Sequence, residues 1–192
     1  MKFLKVYSDI TRDKDKEEFA MRIWITGDTH GMFERIEKFC KVYQTTKEDL
    51  LIIAGDAGIN YNGFVKDRPK KEYLEALPIR FLCVHGNHEM NPEYMPNMRT
   101  ICFAKGMTYY EKEYPNILYA KDGEIYDING LKTIVLGGAY SVDKYYRLLK
   151  GWSWFKDEQP DEKIKEYVLS KNLTYYIVWQ LSQAVRHGSA TP

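Results

Sequence analysis

Met21-Arg22-Ile23-Trp24-Ile25-Thr26-Gly27-Asp28-Thr29-His30-Gly31 begins as an apolar run and ends on a carboxylate and an imidazole between two glycines. The arrangement recurs twice. Residues 50–54 run into Gly55-Asp56, and residues 79–84 run through His85 into Gly86-Asn87-His88-Glu89. Each run reads as a buried strand. Residues 50–54 show no polar alternation, the pattern of a sheet covered on both faces. Three successive strand ends therefore carry carboxylate, imidazole and amide groups. The crevice beyond the carboxyl ends of strands is where α/β folds bind ligands. Oxygen donors mixed with imidazole suit Mn, Fe, Zn or Ni, so the first expectation is a metal-dependent hydrolase.

Each strand end has its own chemistry. Asp28 and His30 are two apart, which on an extended chain puts both side chains on one side. Gly27 and Gly31 let the backbone turn tightly around an ion. The two oxygens of Asp56 can bridge two cations, or the residue simply caps the next turn. Asn87 offers a neutral amide oxygen. His88 is then placed to face a substrate, donating to a phosphoryl oxygen or protonating a leaving alkoxide. His85 reads as structural. There is no GxxxxGK[ST], and no GxGxxG comes after the first strand, which disfavours a metal-free nucleotide-binding protein.

The whole chain sets the bounds. Its 192 residues suffice for one domain with a real core. A net charge of +1 provides no patch for nucleic acid or an anionic membrane. Cys40, Cys83 and Cys102 lack CxxC spacing and read as reduced hydrophobes. With no apolar run near the ~18 residues of a membrane span, a cytoplasmic location is expected by default.

Residues 1–20 read as an N-terminal extension whose charge run at 11–18 is solvated or disordered. Residues 21–180 form the expected domain. Phe33, Ile36, Phe39, Cys40 and Tyr43 mark one face of a helix over 32–43. A short helix over 70–77 is stopped by Pro78. Residues 117–120, 124–128 and 131–136 read as short strands, with Asp122-Gly123 and Asn129-Gly130 as hairpin turns. Ser141 is the expected N-cap of a helix near 142–150, and Asp161 that of another over 162–171. Residues 175–178 read as a strand. The segment 91–114 has no clear pattern.

The three motifs stand in the order DxH, GD and GNHE, about 30 residues apart, each after a hydrophobic strand. In this the chain resembles the calcineurin-like metallophosphoesterase superfamily. Gly137-Gly138-Ala139-Tyr140-Ser141-Val142-Asp143-Lys144 and the Glu158-Gln159-Pro160 segment are similar to its bacterial and phage branch. The resemblance implies an α/β fold of two facing mixed β-sheets flanked by helices, an αββα sandwich. It implies a first metal on Asp28, His30 and Asp56, and a second on Asp56 and Asn87. His88 would be the catalytic imidazole. Two divalent cations (Mn, Fe, Zn or Ni) would clamp a phosphoryl group and activate a hydroxide for attack. The implied reaction is hydrolysis of a phosphomonoester or phosphodiester, on a small molecule or a phosphoprotein.

The chain also departs from that pattern. No further Asp occurs in Gly55-Asp56-Ala57-Gly58-Ile59-Asn60, so the orientation of His88 is left without its usual partner. The family's late histidine motifs are missing as well: after His88 only His187 remains. Residues 179–192 match nothing in the pattern, and 181–192 read as an aberrant or disordered tail on a chain ended early. The second metal site is then expected to be incomplete, and an uncovered sheet edge favours a homodimer. The alternative function is a catalytically impaired scaffold that binds metal weakly or serves as an interaction module. Tyr140 and Arg147 are candidate substrate contacts after the Gly-Gly loop, Arg147 as a phosphate holder; the other reading of Arg147 is a solvated helix face.

Overall fold

A computed structural model describes residues 2–6 and 21–171 together with the backbone of 175–178. A seven-stranded sheet has the order β1-β2-β3-β4-β7-β6-β5. Its strands are β1 (Leu4–Val6), β2 (Ile23–Thr26), β3 (Leu50–Ala54), β4 (Arg80–Val84), β5 (Arg99–Phe103), β6 (Gly106–Tyr110) and β7 (Ile117–Ala120). The β2, β3, β4 and β7 strands run parallel, and the edges are antiparallel. A smaller mixed sheet has β8 (Ile125–Ile128) antiparallel to β9 (Leu131–Leu136), which pairs in parallel with β10 (Tyr175–Val178).

The strict period of two in a strand divides β3 between two cores. Leu51 and Ile53 face one side, with Trp24, Phe81, Cys83, Ile117 and Tyr119. Helices α1 (Glu34–Tyr43) and α2 (Phe64–Ala76) cover that side through Ile36, Phe39, Cys40 and Leu74. Leu50 and Ile52 face the other side, with Ile23, Leu82, Val84 and Leu118, against Tyr126, Ile128 and Val135 of the small sheet. The outer face of β9 buries Ile134 and Leu136 on Val168 of α4 (Glu162–Ser170). The layers are therefore helix, sheet, sheet, helix, the architecture expected. Each fully buried Ile or Leu contributes about 1.5–3 kcal/mol, so both faces of β3 matter to stability.

Several elements differ in detail from the sequence expectation. Helix α2 starts at Phe64 and not at 70, with Pro69 inside it. It ends as expected: the residue before a proline disfavours helix, and Leu77, before Pro78, is extended at φ −70°, ψ 143°. Its inward face carries Asp67 and Lys71 as well as Leu74, and Lys71 makes a buried ion pair with Glu111. The 91–114 segment contains the β5–β6 hairpin. Asn129-Gly130 closes a hairpin as expected, but Asp122-Gly123 links β7 in one sheet to β8 in the other. The leader is not wholly separate from the fold. Its residues 4–6 pair with β2, and the Phe3 ring stacks on Phe39 at 4.2 Å. The charge run at 11–18 and the tail with His187 lie outside the described residues. Among the described residues, no helix is long and apolar enough to cross a membrane.

Candidate metal centre

The loops after β2 and β3 are zipped together beyond the last strand pairing. Asp28 N donates to Gly55 O at 3.2 Å, His30 N to Asp56 O at 2.8 Å and Gly31 N to Ala57 O at 2.9 Å. The buried Thr29 hydroxyl adds a bond to Ala57 O at 2.8 Å. The approach is close enough that a Cβ on Gly58 would run into the backbone of His30 and Gly31. This tight path puts Asp28, His30 and Asp56 in the left-handed region, at φ 51°, 47° and 47°. Asp and His are among the few residues that tolerate it.

The loop after β4 closes on the same point. His88 N donates to Asp56 Oδ1 at 3.0 Å. A Cβ on Gly86 would fall onto the Asp56 carboxylate and backbone nitrogen. Glu89, 2% exposed, ties two of these loops together: its carboxylate accepts from Gly86 N (3.0 Å), Ala57 N (3.2 Å) and Gly58 N (3.3 Å). Burial first, and the Asp56 charge second, push the Glu89 carboxyl up to about 7. Behind it, His85 is buried as a structural residue, with Nε2 2.8 Å from Asp122 Oδ2. Burial pulls the His85 pKa down, but the hydrogen bond and charge of Asp122 outweigh it and the net direction is up. Asp122 Oδ1 accepts from Gly137 N at 2.6 Å, and Gly138 N donates to His85 O at 2.9 Å, which docks the Gly-Gly loop onto the centre.

Ligand atoms of His30, Asp56 and His88 all lie within 4.8 Å of one another. One carboxylate and two imidazoles converging at strand ends form a donor set that suits Zn, Mn, Fe or Ni. The residues present therefore fit a divalent cation. Of the expected ligands, His30 and Asp56 come together, while Asp28 is exposed and outside this group. His88, expected to face substrate, lies within ligand distance. Asn87 is buried, and its Nδ2 donates to Ser141 Oγ at 2.9 Å, so the atom with which its amide can ligate is Oδ1.

A cleft of about 240 Å³ opens over His30 and His88, walled by Tyr61, Lys70, Asp143, Arg147 and Trp152. Lys70 Nζ donates to Gly58 O at 2.9 Å. His88 Nε2 is 3.6 Å from Asp143 Oδ1. Tyr140 is 54% exposed and is not among the residues that line this cleft. Arg147 lines it but is only 1% exposed, which corrects the reading of a solvated helix face. Ser141 does not cap helix α3 (Lys144–Leu149); Asp143 holds that position, without a side-chain cap bond, and Ser141 is turned inward. Sequence reasoning missed Tyr61 and Lys70, which sit just before α2 and on it. Asp143 and Trp152 belong to segments whose sequence resembles the family, but nothing in their spacing marks them.

A family model described as calcineurin-like phosphoesterase matches residues 21–187. Its span includes the start of the stretch set aside as an aberrant tail. No curated protein matches the chain.

Proposed function

The chain belongs to the calcineurin-like phosphoesterase family, and from that premise we propose that it hydrolyses phosphate monoesters or diesters with the help of two divalent cations, Mn, Fe, Zn or Ni. The observation that carries this reading is the convergence of His30, Asp56 and His88, two of which, His30 and His88, line the cleft. His30 and Asp56 would hold the first cation. Asp56 would be shared with the second, for which Asn87 would be a further ligand. The chemistry contributed by such cations is Lewis-acid polarisation of the phosphoryl group and a nucleophile available at neutral pH.

The chain's own residues do the rest. Lys70 brings positive charge to the cleft wall, where it would stabilise a phosphate. Tyr61 and Trp152 flank the space that a leaving group would occupy. His88, beside Asp143, is placed to ligate a cation or to hand a proton to the leaving oxygen. Substrates of this chemistry include small phosphoesters and phosphoproteins.

The first test is hydrolysis of bis-p-nitrophenyl phosphate and p-nitrophenyl phosphate with Mn²⁺, against His30→Ala and Asp56→Ala. Turnover that disappears in both variants together with bound Mn²⁺ supports the reading; turnover retained in Asp56→Ala refutes a shared carboxylate. A second reading is a weak single-cation binder with impaired catalysis. It is favoured by the exposure of Asp28 and its absence from the ligand group. A stoichiometry of one Mn²⁺ per chain without turnover would establish it.

A further inference from the structure

Arg147 sits in a place that costs energy. A buried guanidinium is tolerated only where its donors are met. Its Nη1 donates to Ser141 Oγ at 3.0 Å, and its Nη2 donates to the carbonyl of Ser153. The same Nη1 is 4.0 Å from Asp143 Oδ1, and the guanidinium lies over the Tyr61 ring at 5.8 Å. Two of these neighbours, Ser141 and Asp143, each approach one residue of the GNHE motif. Ser141 Oγ accepts from Asn87 Nδ2 at 2.9 Å, and Asp143 Oδ1 faces His88 Nε2 at 3.6 Å. That Asp143 oxygen is buried and makes no hydrogen bond; it lies between the Arg147 guanidinium and the His88 imidazole, so its link to both is through charge and contact. One planar fork therefore reaches the supports of two adjacent site residues at once.

We propose that Arg147 is a positioning residue which, through Ser141 and Asp143, sets the Asn87 amide and the His88 imidazole in the orientations the site requires. The proposal rests on the phosphoesterase reading for its catalytic consequence, but not for its geometry. It replaces the role of phosphate holder. At 1% exposure, with Nη1 on Ser141 and Nη2 on Ser153, the guanidinium presents almost no surface to a substrate. Only arginine suits the position: a rigid planar fork reaches Ser141 and Ser153 at once and keeps its charge beside Asp143, and a lysine ammonium is a single point on a flexible stem. The chain lacks a carboxylate just after Asp56, and Asp143 presents one to His88 from the Gly-Gly loop instead.

The test uses the full chain and four proteins: wild type, Arg147→Lys, Ser141→Ala and Asp143→Asn. Supports of metal ligands typically cost 10–100-fold in metal affinity or activity when removed. Arg147→Lys should weaken Mn²⁺ binding and lower kcat by about that factor, with KM for bis-p-nitrophenyl phosphate within about threefold of wild type. Ser141→Ala should act mainly on Mn²⁺ binding, and Asp143→Asn mainly on kcat. A raised KM with kcat and Mn²⁺ affinity unchanged would overturn the proposal and make Arg147 a substrate contact. If Arg147→Lys does not fold, the other two variants decide by the same criteria. A readout independent of turnover is the Asn87 side-chain amide in ¹H–¹⁵N spectra of the metal-free protein. Its signals should shift and exchange faster with water in Arg147→Lys, with Ser141→Ala, which removes the direct acceptor, as the positive control. Unmoved signals overturn the proposal. Shifted signals in a chain whose wild type neither binds Mn²⁺ nor cleaves ester support positioning and refute the phosphoesterase reading.

Discussion

Replacing Glu89 by alanine tests how the centre is held together. The carboxylate is the shared acceptor of Gly86 N, Ala57 N and Gly58 N. Each buried N–H left without a partner costs about 1–3 kcal/mol, so three set a gross loss of roughly 3–9 kcal/mol. Against this stands the cost of burying the carboxyl itself. Its rise from 4.5 to about 7 in the folded chain corresponds to about 3 kcal/mol of destabilisation at pH 7, which alanine removes. The net loss is about 3 kcal/mol near the middle of the range, and at ~2–4 °C per kcal/mol for a domain of this size it lowers the Tm by roughly 6–12 °C. The assay is thermal unfolding by circular dichroism at pH 7 in chelator, so that only the chain's own bonds are measured. Glu89→Gln, which keeps one oxygen acceptor and loses the charge, should fall much less. A Tm raised in Glu89→Ala, or an equal fall in Glu89→Gln, would refute the assignment of Glu89 as a clasp between loops.

Gly86→Ala places a Cβ on the Asp56 carboxylate; the expected result is a folded protein whose Mn²⁺ affinity falls at least tenfold, read by titration calorimetry. Lys71→Met leaves Glu111 as a buried, unpaired charge, with an expected loss of about 3–5 kcal/mol, and a Lys71→Met/Glu111→Leu double variant should recover much of it in urea unfolding. Removing residues 1–20 takes away β1 and the Phe3–Phe39 stack. An aromatic pair contributes about 0.5–1.5 kcal/mol beyond its burial, so the melting temperature should drop by several degrees; an unchanged value would show the leader to be dispensable.

The parallel strands and the three motifs were legible because they obey local rules. A run such as Leu50–Ala54 can only be a strand covered on both faces, and the residues just after it must lie at the sheet's carboxyl edge. The start of α2 was hidden by Gly63 and Pro69, which read as breakers, and by an inward face of Asp67 and Lys71 that has no apolar period. The β5–β6 hairpin was hidden by its turn. Ala104 and Lys105 adopt φ 49° and 63° there, positions that Asn-Gly or Asp-Gly would normally announce. In the site, the motifs marked Asp28, His30, Asp56, Asn87 and His88 alike as strand-end residues; that His30, Asp56 and His88 converge while Asp28 stays outside the group was not readable from spacing. The burial of Arg147 and the inward turn of Ser141 were not readable either, because Ser141 depends on Asn87 from a distant loop, and Arg147 on how the chain just after α3 folds back to present the Ser153 carbonyl.

The left-handed backbone at Asp28, His30 and Asp56 has an evolutionary consequence. Conformations of this kind cost about 1 kcal/mol or more for a residue with a side chain, and little for glycine. A population screened only for survival of heating would accept glycine at positions 28 and 30, and at 56 wherever the strain relieved exceeds the lost bond from His88 N. It would also discard an imidazole and one or both carboxylates from the loops around the metal centre. These three positions therefore record which pressure a lineage has been under: retention of Asp, His and Asp marks selection for chemistry, and drift to glycine marks its release.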